Sequence, residues 1–244
     1  MTHFTVVSPH PDDAALSLGS TLAWWHRRGA RFTFLTCFSR TRWAPRAASN
    51  GDVDSVTALR RLEDEAFAAR FGEAARHRAL GFDDEPLRPA ARGAGGAAQR
   101  KEDVEQPLLV ALREAMARHA PEPGPWVLPA GQFHRDHLLA MVAGIAAAGT
   151  HPLVFYEDVP YVLGVSMESV RRHMTGVSRR AGRELHALRF GAFDRDAWLS
   201  GVHCYRSQFI EDELADFSAR LVARSGERLW ADAQALSVMG ALFV

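Results

Sequence analysis

Short apolar segments alternate with longer segments of helical periodicity through the first 156 residues of the chain. Segments 4–8 and 32–38 are apolar and rich in β-branched or aromatic residues, which is typical of buried strands. Between them, segment 14–28 has apolar residues at helical spacing and is followed by Gly29, a residue that often ends a helix. This order predicts a strand–helix–strand unit at the start of the chain.

The same alternation continues as far as Tyr156. The further predicted elements are helices at 54–71, 102–119 and 137–148, and strands at 78–82, 126–129 and 153–156. A regular succession of strands and helices favours an α/β fold: a doubly wound, Rossmann-like, mostly parallel sheet with helices on both faces.

The C-terminal part of the chain is less regular. Helical spacing is found at 167–173, 195–208 and 211–224, but no parallel strand is assigned between these segments. We expect residues 1–244 to form a single domain in which 161–244 is a less regular, partly helical portion.

Composition and charge exclude several classes of protein. Hydrophobic residues make up 47% and charged residues 24%, as in globular proteins, and 29 basic residues balance 29 acidic ones. A net charge of zero disfavours nucleic acid as a partner, and the longest apolar stretch, 138–149, is too short to span a membrane. Cys37 and Cys204 cannot form a disulfide framework, so we expect a cytoplasmic protein. The Ala- and Gly-rich segment 91–98 is expected to be a surface loop.

One histidine and two aspartates follow the first predicted strand. Segment 9–13 reads PHPDD, and the carboxyl ends of strands are where open α/β sheets bind ligands. His10 and Asp13 are close enough in the chain to share one metal ion. In the alternative interpretation, one aspartate caps the next helix and His10 is a packed loop residue, which accounts for only one of the two carboxylates.

A second group of histidines follows another predicted strand. Segment 134–137 reads HRDH, so His134 and His137 share a helix face and Asp136 can orient an imidazole from behind. Alternatively, His134 is a neighbour of the helix cap and His137 a buried residue bonded to backbone. Since both groups follow strands of one parallel sheet, we expect the imidazoles of His10 and His137 to lie within about 6 Å of each other.

Together, these two segments resemble the signature of the PIG-L/LmbE-like family of zinc-dependent de-N-acetylases. The resemblance implies that His10, Asp13 and His137 are the metal ligands. It also implies that Asp12 is the general base and that His134, in its protonated form, stabilises the oxyanion formed when zinc-bound water attacks an amide. The resemblance implies Zn2+, although the same donor set also suits Fe(II).

The resemblance extends to other parts of the chain. The pair Arg60 and Glu63 is similar to a family position where the arginine contacts substrate, and segments 156–161 (YEDVPY) and 205–208 (YRSQ) are also similar. One position departs from the family: Ala14 replaces the usual glutamate. That glutamate is not a family metal ligand, so its loss affects a contact around the site rather than metal binding.

Further residues are expected to contact substrate because their loops follow strands at the same edge of the sheet. The predicted substrate-binding residues are Arg40, Trp43, Arg60, Asp83, Asp84, Asp158 and Tyr161. In the alternative interpretation the loop arginines are solvated, the tryptophan is a packing anchor, and the paired aspartates end a strand in a turn.

The sequence therefore favours a metal-dependent hydrolase that removes an N-acetyl group from an amino sugar in a small glycoside. Its partner would be a small-molecule N-acetylated glycoside. One alternative is an amidohydrolase that acts on a non-sugar N-acyl compound with the same site. The other is a catalytically silent binding module, which the alanine at position 14 would suit. The sequence makes no prediction of oligomeric state.

Overall fold

The structure, a computed structural model, describes residues 1–88, 101–120 and 122–240. The predicted loop 91–98 lies outside the described residues. The strands are β1 (His3–Ser8), β2 (Arg31–Thr36), β3 (Ala75–Ala79), β4 (Trp126–Pro129), β5 (Leu153–Tyr156), β6 (His186–Leu188) and β7 (Leu229–Ala231).

Helices pack around these strands. They are α1 (Asp13–His26), α2 (Val53–Ala69), α3 (Lys101–His119), α4 (Arg135–Ala148), α5 (Met167–Ala181), α6 (Arg195–Val202), α7 (Glu211–Ala223) and α8 (Ala233–Gly240). Within the described ranges, no helix combines the length and the hydropathy that crossing a bilayer requires.

The strands form one sheet in the order β3-β2-β1-β4-β5-β7-β6. The pairs β1–β2, β2–β3, β1–β4 and β4–β5 are parallel, so the predicted mostly parallel α/β sheet is confirmed. The chain winds outwards from β1 in one direction and then returns to begin β4 on its other side. Such a reversal opens a crevice at the carboxyl ends of the two central strands, where ligands bind in folds of this type.

Three predicted elements differ in their bounds from the structure, one of them the helix at 167–173, which continues to Ala181, and two short strands were not predicted. The third strand lies at 75–79 rather than 78–82. It is an exposed edge strand, and the apolar residues on which the prediction was based follow it in the chain. The helix predicted over 195–208 ends at Val202. The short strands β6 and β7 pair antiparallel with each other, and β7 also pairs antiparallel with β5. Three residues are too few for a periodic pattern to reveal a strand.

The central strands are buried on both faces, as expected for parallel strands covered by helices. In β1, Phe4 and Val6 are fully buried, and the ring of Phe4 stacks on Trp25 of α1 with centroids 4.3 Å apart. This contact joins the start of β1 to the last turn of α1, so the first turn of the helix lies at the carboxyl end of the strand.

The C-terminal portion anchors α1 from behind. The carboxylate of Glu227 accepts hydrogen bonds from the backbone N–H groups of Ser20 (2.9 Å) and Thr21 (2.7 Å) in the middle of that helix. Trp198 of α6 donates from Nε1 to the carbonyl of Leu16 at 2.8 Å. Burial raises the pKa of Glu227 to about 7, against the opposing effect of these hydrogen bonds. The last part of the chain therefore fixes the helix that carries Asp13.

We predict that Gly124→Ala strongly destabilises the fold. Gly124 has φ of 154° just before β4, and a Cβ built there lies 2.0 Å from the carbonyl oxygen of His3. We expect a loss of about 3 kcal/mol in the free energy of unfolding, measured by urea denaturation. Gly176→Ala is the control, because Gly176 lies inside α5 with no atom within 4 Å of the new Cβ. It should be stabilising by about 0.5–1 kcal/mol. Equal stability of the two variants would contradict the prediction.

Candidate functional site

The two predicted groups of polar residues meet at the crevice between β1 and β4. The turn after β1 is held by Ser8, whose hydroxyl donates to the carbonyl of His10 at 2.7 Å and accepts from the N–H of Ala14 at 3.1 Å. Within the turn, Asp12 has φ of 103°, a conformation that residues other than glycine rarely adopt. Such backbone strain is concentrated at functional sites.

The side chain of Asp12 does not cap α1, although the residue occupies the cap position. The carboxylate of Asp13 instead turns back and accepts from the N–H of His10 at 2.8 Å. The alternative in which these aspartates serve only as helix caps therefore does not describe the turn.

Three candidate ligand atoms, two from the turn after β1 and one from α4, converge at this point. Oδ2 of Asp13 lies 3.2 Å from Nδ1 of His10 and 3.2 Å from Nε2 of His137. The two imidazole rings have centroids 5.3 Å apart, within the expected separation. A single carboxylate oxygen thus lies between two imidazole nitrogens.

Carboxylates behind the two imidazoles determine which nitrogens face the convergence point. Nε2 of His10 lies 3.0 Å from Oδ2 of Asp136, and Nδ1 of His137 lies 2.9 Å from Oδ1 of Asp158. When these outer nitrogens carry the protons, the lone pairs on the inner nitrogens point towards Asp13. Metal-binding histidines in proteins are usually oriented in this way.

The donor set fits a divalent cation such as zinc. Ligands about 2 Å from a tetrahedral ion are about 3.3 Å apart, which matches the two spacings around Asp13. Nε2 of His137 is buried and makes no hydrogen bond, although Oδ2 of Asp13 lies 3.2 Å away. A buried polar atom without a partner requires an explanation, and metal coordination supplies one.

Electrostatics around the imidazoles also favour positive charge. Burial lowers the pKa of His10, but Asp13 and Asp136 outweigh it and raise that pKa to about 9. For His137, Asp13 and Asp158 likewise outweigh burial and raise the pKa to about 10. The carboxylates thus create a site that attracts a cation.

His134 lies beside this cluster as the cap of α4. Its Nδ1 accepts from the N–H of Asp136 at 3.2 Å, so the ring proton must be on Nε2. One nitrogen from each of His10, His134 and His137 lies within 4.8 Å of the others, so a three-histidine site is a second geometric option. A protonated Nε2 is a hydrogen-bond donor rather than a metal ligand, which favours Asp13 over His134 as the third ligand.

Two expectations about the histidines change in the structure. Burial and the imidazoles of His10 and His137 lower the pKa of His134, which disfavours the protonated ring that the sequence led us to expect. His134 is itself the helix cap, and its Nε2, which the capping bond does not use, lies 3.8 Å from Oε2 of Glu85. His137 is buried, but its ring contacts carboxylates rather than backbone.

Asp12 is held by a buried arginine next to the cluster. Arg60 donates to Oδ2 of Asp12 at 3.0 Å, to the carbonyl of Pro11, and to Glu63 at 2.9 Å. Burial raises the pKa of Asp12 to about 7, with Arg60 opposing the rise. Glu63 is in turn bonded by the backbone N–H and the hydroxyl of Ser207, both at 2.8 Å. The C-terminal portion therefore supports the residue predicted to be the base.

A cavity of about 600 Å³ opens above these groups. Four of the predicted substrate-binding residues line it: Trp43, Arg60, Asp84 and Tyr161. Tyr161 also contacts the site, since its ring lies edge-on to that of His137 with centroids 5.3 Å apart. Asp84 accepts from the hydroxyl of Thr41, and its Oδ1 is buried without a partner.

The other three predicted substrate-binding residues do not line the cavity. Arg40 and Asp83 form an exposed ion pair with each other at 2.6 Å. Asp158 is fully buried behind His137, and its second oxygen accepts from the N–H of Gln132 at 2.8 Å. Its position corrects the expectation that it contacts substrate, because both carboxylate oxygens are engaged inside the protein.

Sequence reasoning missed several residues that complete the site. Arg88 donates to Asp136, which is fully buried and also accepts from the N–H of Glu85 at 2.9 Å. No sequence signal marks Arg88, because its partner is 48 residues away in the chain. Glu63 was not missed, because the sequence resemblance already paired it with Arg60, three residues away on one helix face.

Comparison with known proteins identifies the class to which this chain belongs as N-deacetylases. The chain belongs to the PIG-L (GlcNAc-PI de-N-acetylase) family, whose family model matches residues 5–148. It is similar to the 2'-N-acetylparomamine deacetylase of Streptomyces fradiae. The two sequences are 33% identical over an alignment of 242 positions, which covers 92% of this chain and 80% of that protein.

Solved structures share the fold. A deacetylase of the teicoplanin biosynthesis pathway, solved with teicoplanin, has a TM-score of 0.69 at 23% identity and covers 94% of this chain and 98% of its own. The 4-carboxy-2-hydroxymuconate hydratase GalB from Pseudomonas putida KT2440 has a TM-score of 0.58 at 15% identity, with 96% of each chain covered. One fold thus carries different chemistries, so the activity must be argued from the site.

We predict that Arg60→Met destabilises the protein by about 3–5 kcal/mol, because it leaves Asp12 and Glu63 buried without their cation. The measurement is urea denaturation. Arg61→Met is the matched control: the neighbouring arginine is 59% exposed and lies 3.6 Å from Glu65, so its loss should cost under about 1 kcal/mol. Similar losses in the two variants would show that the buried ion pairs do not matter to the fold.

Proposed function

We propose that this protein is a zinc-dependent hydrolase that removes the N-acetyl group from an amino sugar in a small glycoside. The observation that carries the proposal is the convergence of His10, Asp13 and His137 beside Asp12 and His134 at one cavity. Two of the similar proteins, the 2'-N-acetylparomamine deacetylase and the deacetylase solved with teicoplanin, catalyse a reaction that these residues are suited to perform.

Under this proposal His10, Asp13 and His137 hold the cation. A divalent ion in such a site acts as a Lewis acid and makes bound water more acidic. Two imidazoles and one carboxylate leave positions open for substrate, which is the arrangement of catalytic rather than structural zinc. The same donors also accept Fe(II), so zinc is proposed on the family resemblance and the spacing of the ligand atoms.

Asp12 is proposed as the base that takes a proton from the attacking water. Its carboxylate borders the cavity, and Arg60, which lines the same cavity, holds it in place by donating to Oδ2. A carboxyl group with a pKa of about 7 both accepts and releases a proton near neutral pH. Asp12 is therefore suited to carry a proton from water to the leaving amine.

His134 is proposed to donate a hydrogen bond to the substrate carbonyl. Its Nδ1 is occupied by the cap of α4, so Nε2–H is the group available at the cavity. As the carbonyl oxygen gains negative charge, a donor of this kind contributes about 3–4 kcal/mol to the stabilisation of the transition state. This role needs only the neutral imidazole.

The reaction balances as a hydrolysis. The oxygen of water bonds to the acetyl carbon, the C–N bond breaks, and the proton held by Asp12 passes to the departing nitrogen. The products are the free amine and acetic acid, which keeps the second proton of the water until it ionises to acetate. A binding module would require neither a base nor a carbonyl donor next to the ligands, so we set that alternative aside.

We also propose that the whole of 1–244 works as one catalytic domain. Ser207 and Glu227 of the C-terminal portion support Glu63 and α1, which carry the site. A cytoplasmic location is proposed from the sequence, and both cysteines are free in the structure.

The proposed reaction is tested by measuring acetate released from N-acetylglucosamine glycosides by the purified protein, with and without a chelator. We expect release that stops with the chelator and returns when zinc is added. Release that a chelator leaves unchanged would refute the metal-dependent mechanism.

We predict different metal contents for variants of the site, measured by mass spectrometry of the purified proteins. Asp12→Ala and His134→Ala should keep about one zinc per chain and lose deacetylation by at least about 100-fold. His137→Ala should lose most of its metal because it removes one ligand of the set. Loss of metal in His134→Ala would instead assign that histidine to the ligand set.

A further inference from the structure

The cavity extends past the reacting groups to a second wall. This wall is formed by the loop after β2 and by the segment at the start of α7, and we call it the aromatic wall. Its residues are Trp43, Pro45, Arg46, Phe209, Glu213 and Phe217. No role in the proposed hydrolysis requires Phe209, Glu213 or Phe217, and these three lie beyond the residues 5–148 that match the family.

Trp43 presents an exposed ring on a fixed backbone. Its side chain is 58% exposed, although it borders the cavity. Its N–H donates to the hydroxyl of Thr41 at 3.0 Å, and its carbonyl accepts from Nε2 of Gln208 at 3.2 Å. The indole is thus not a packing anchor. It is an exposed apolar surface on a backbone that two hydrogen bonds fix.

Two phenylalanines extend this apolar surface. The rings of Phe209 and Phe217 meet edge to face, with centroids 6.2 Å apart and planes at 77°, and both side chains are half-buried. Gln208, which fixes the carbonyl of Trp43, directly precedes Phe209. The two sides of the wall are therefore tied together.

The charges of the aromatic wall cancel. Arg46 donates to Glu213 at 2.9 Å, and its backbone N–H donates to the carbonyl of Ser207 at 3.0 Å. The wall offers a substrate neither a free anion site nor a free cation site at this pair. Its chemistry matches a neutral group with an apolar face.

We infer that the aromatic wall binds a second ring, attached to the acetamido sugar as its aglycone, through the apolar face of that ring. The inference rests on the proposed function, since it names the substrate class of the same site. A cavity of 600 Å³ is in the range of about 300–1,000 Å³ that holds drug-sized ligands, so it has space beyond one monosaccharide. Sugar rings and aromatic rings both have such a face, and aromatic side chains recognise it by stacking.

Steady-state kinetics with a series of aglycones tests this inference. The substrates are N-acetylglucosamine, its methyl β-glycoside, its phenyl β-glycoside and N,N'-diacetylchitobiose. We expect kcat/KM for the two substrates with a second ring to exceed that for the methyl glycoside by about tenfold or more. A gain for the phenyl glycoside alone would identify an aromatic aglycone, and a gain for chitobiose alone would identify a sugar.

Variants of the aromatic wall test which residues cause the higher kcat/KM for substrates with a second ring. Trp43→Ala and Phe217→Ala should each reduce kcat/KM for the preferred ring substrate about tenfold more than for the methyl glycoside. Leu62→Ala is the matched control, because Leu62 is also 58% exposed but lies on α2 outside the cavity. It should leave all the ratios unchanged.

A binding measurement separates this inference from the proposed hydrolysis. Phenyl β-glucosaminide, which lacks the acetyl group, is titrated into each protein by calorimetry, and we expect Trp43→Ala to weaken its binding about tenfold. If no substrate releases acetate but Trp43→Ala still weakens the binding, the inference that the aromatic wall binds a second ring is supported and the proposed hydrolysis is refuted. If acetate is released at equal kcat/KM from all glycosides, and the variants bind phenyl β-glucosaminide as the unmodified protein does, the inference is overturned while the deacetylase remains.

Discussion

The site depends on one carboxylate oxygen that lies between two imidazoles. Oδ2 of Asp13 is 3.2 Å from a nitrogen of His10 and 3.2 Å from a nitrogen of His137, which is 124 positions further along the chain. Asp136 and Asp158 hold the outer nitrogens, so the inner lone pairs point to the same place. A cation at this point would offset a cluster of buried negative charge, and the surrounding hydrogen bonds serve to keep the ligand atoms converged.

A second buried network supports the proposed base and links the site to the rest of the molecule. Arg60 connects Asp12 to Glu63, and Glu63 connects to Ser207. Charges buried in this way are stable only when each keeps its partner. The network therefore makes the geometry of the proposed base dependent on a segment far along the chain, outside the part that matches the family.

The relatives show why the site and not the fold must carry the functional argument. Similar folds are found in deacetylases and in a hydratase. In this chain the central strands and their turns provide the reacting groups, while the cavity above them is completed by the loop after β2 and by α7. Under the two proposals, the turns after the central strands supply the chemistry, and the loop after β2 and α7 select the substrate.

Local sequence was enough to determine the sheet of parallel strands, the helices that cover it and the two polar segments at strand ends. Those predictions rest on periodicity and on short motifs, which act over a few neighbouring residues. Only the tertiary structure shows that Asp158 lies behind His137 and that Arg88 holds Asp136. It also shows that burial and the neighbouring imidazoles lower the pKa of His134, which the identity of the residue alone does not reveal. Contacts between segments far apart in the chain, and the burial that shifts a pKa, exist only after the chain has folded, so no local pattern records them.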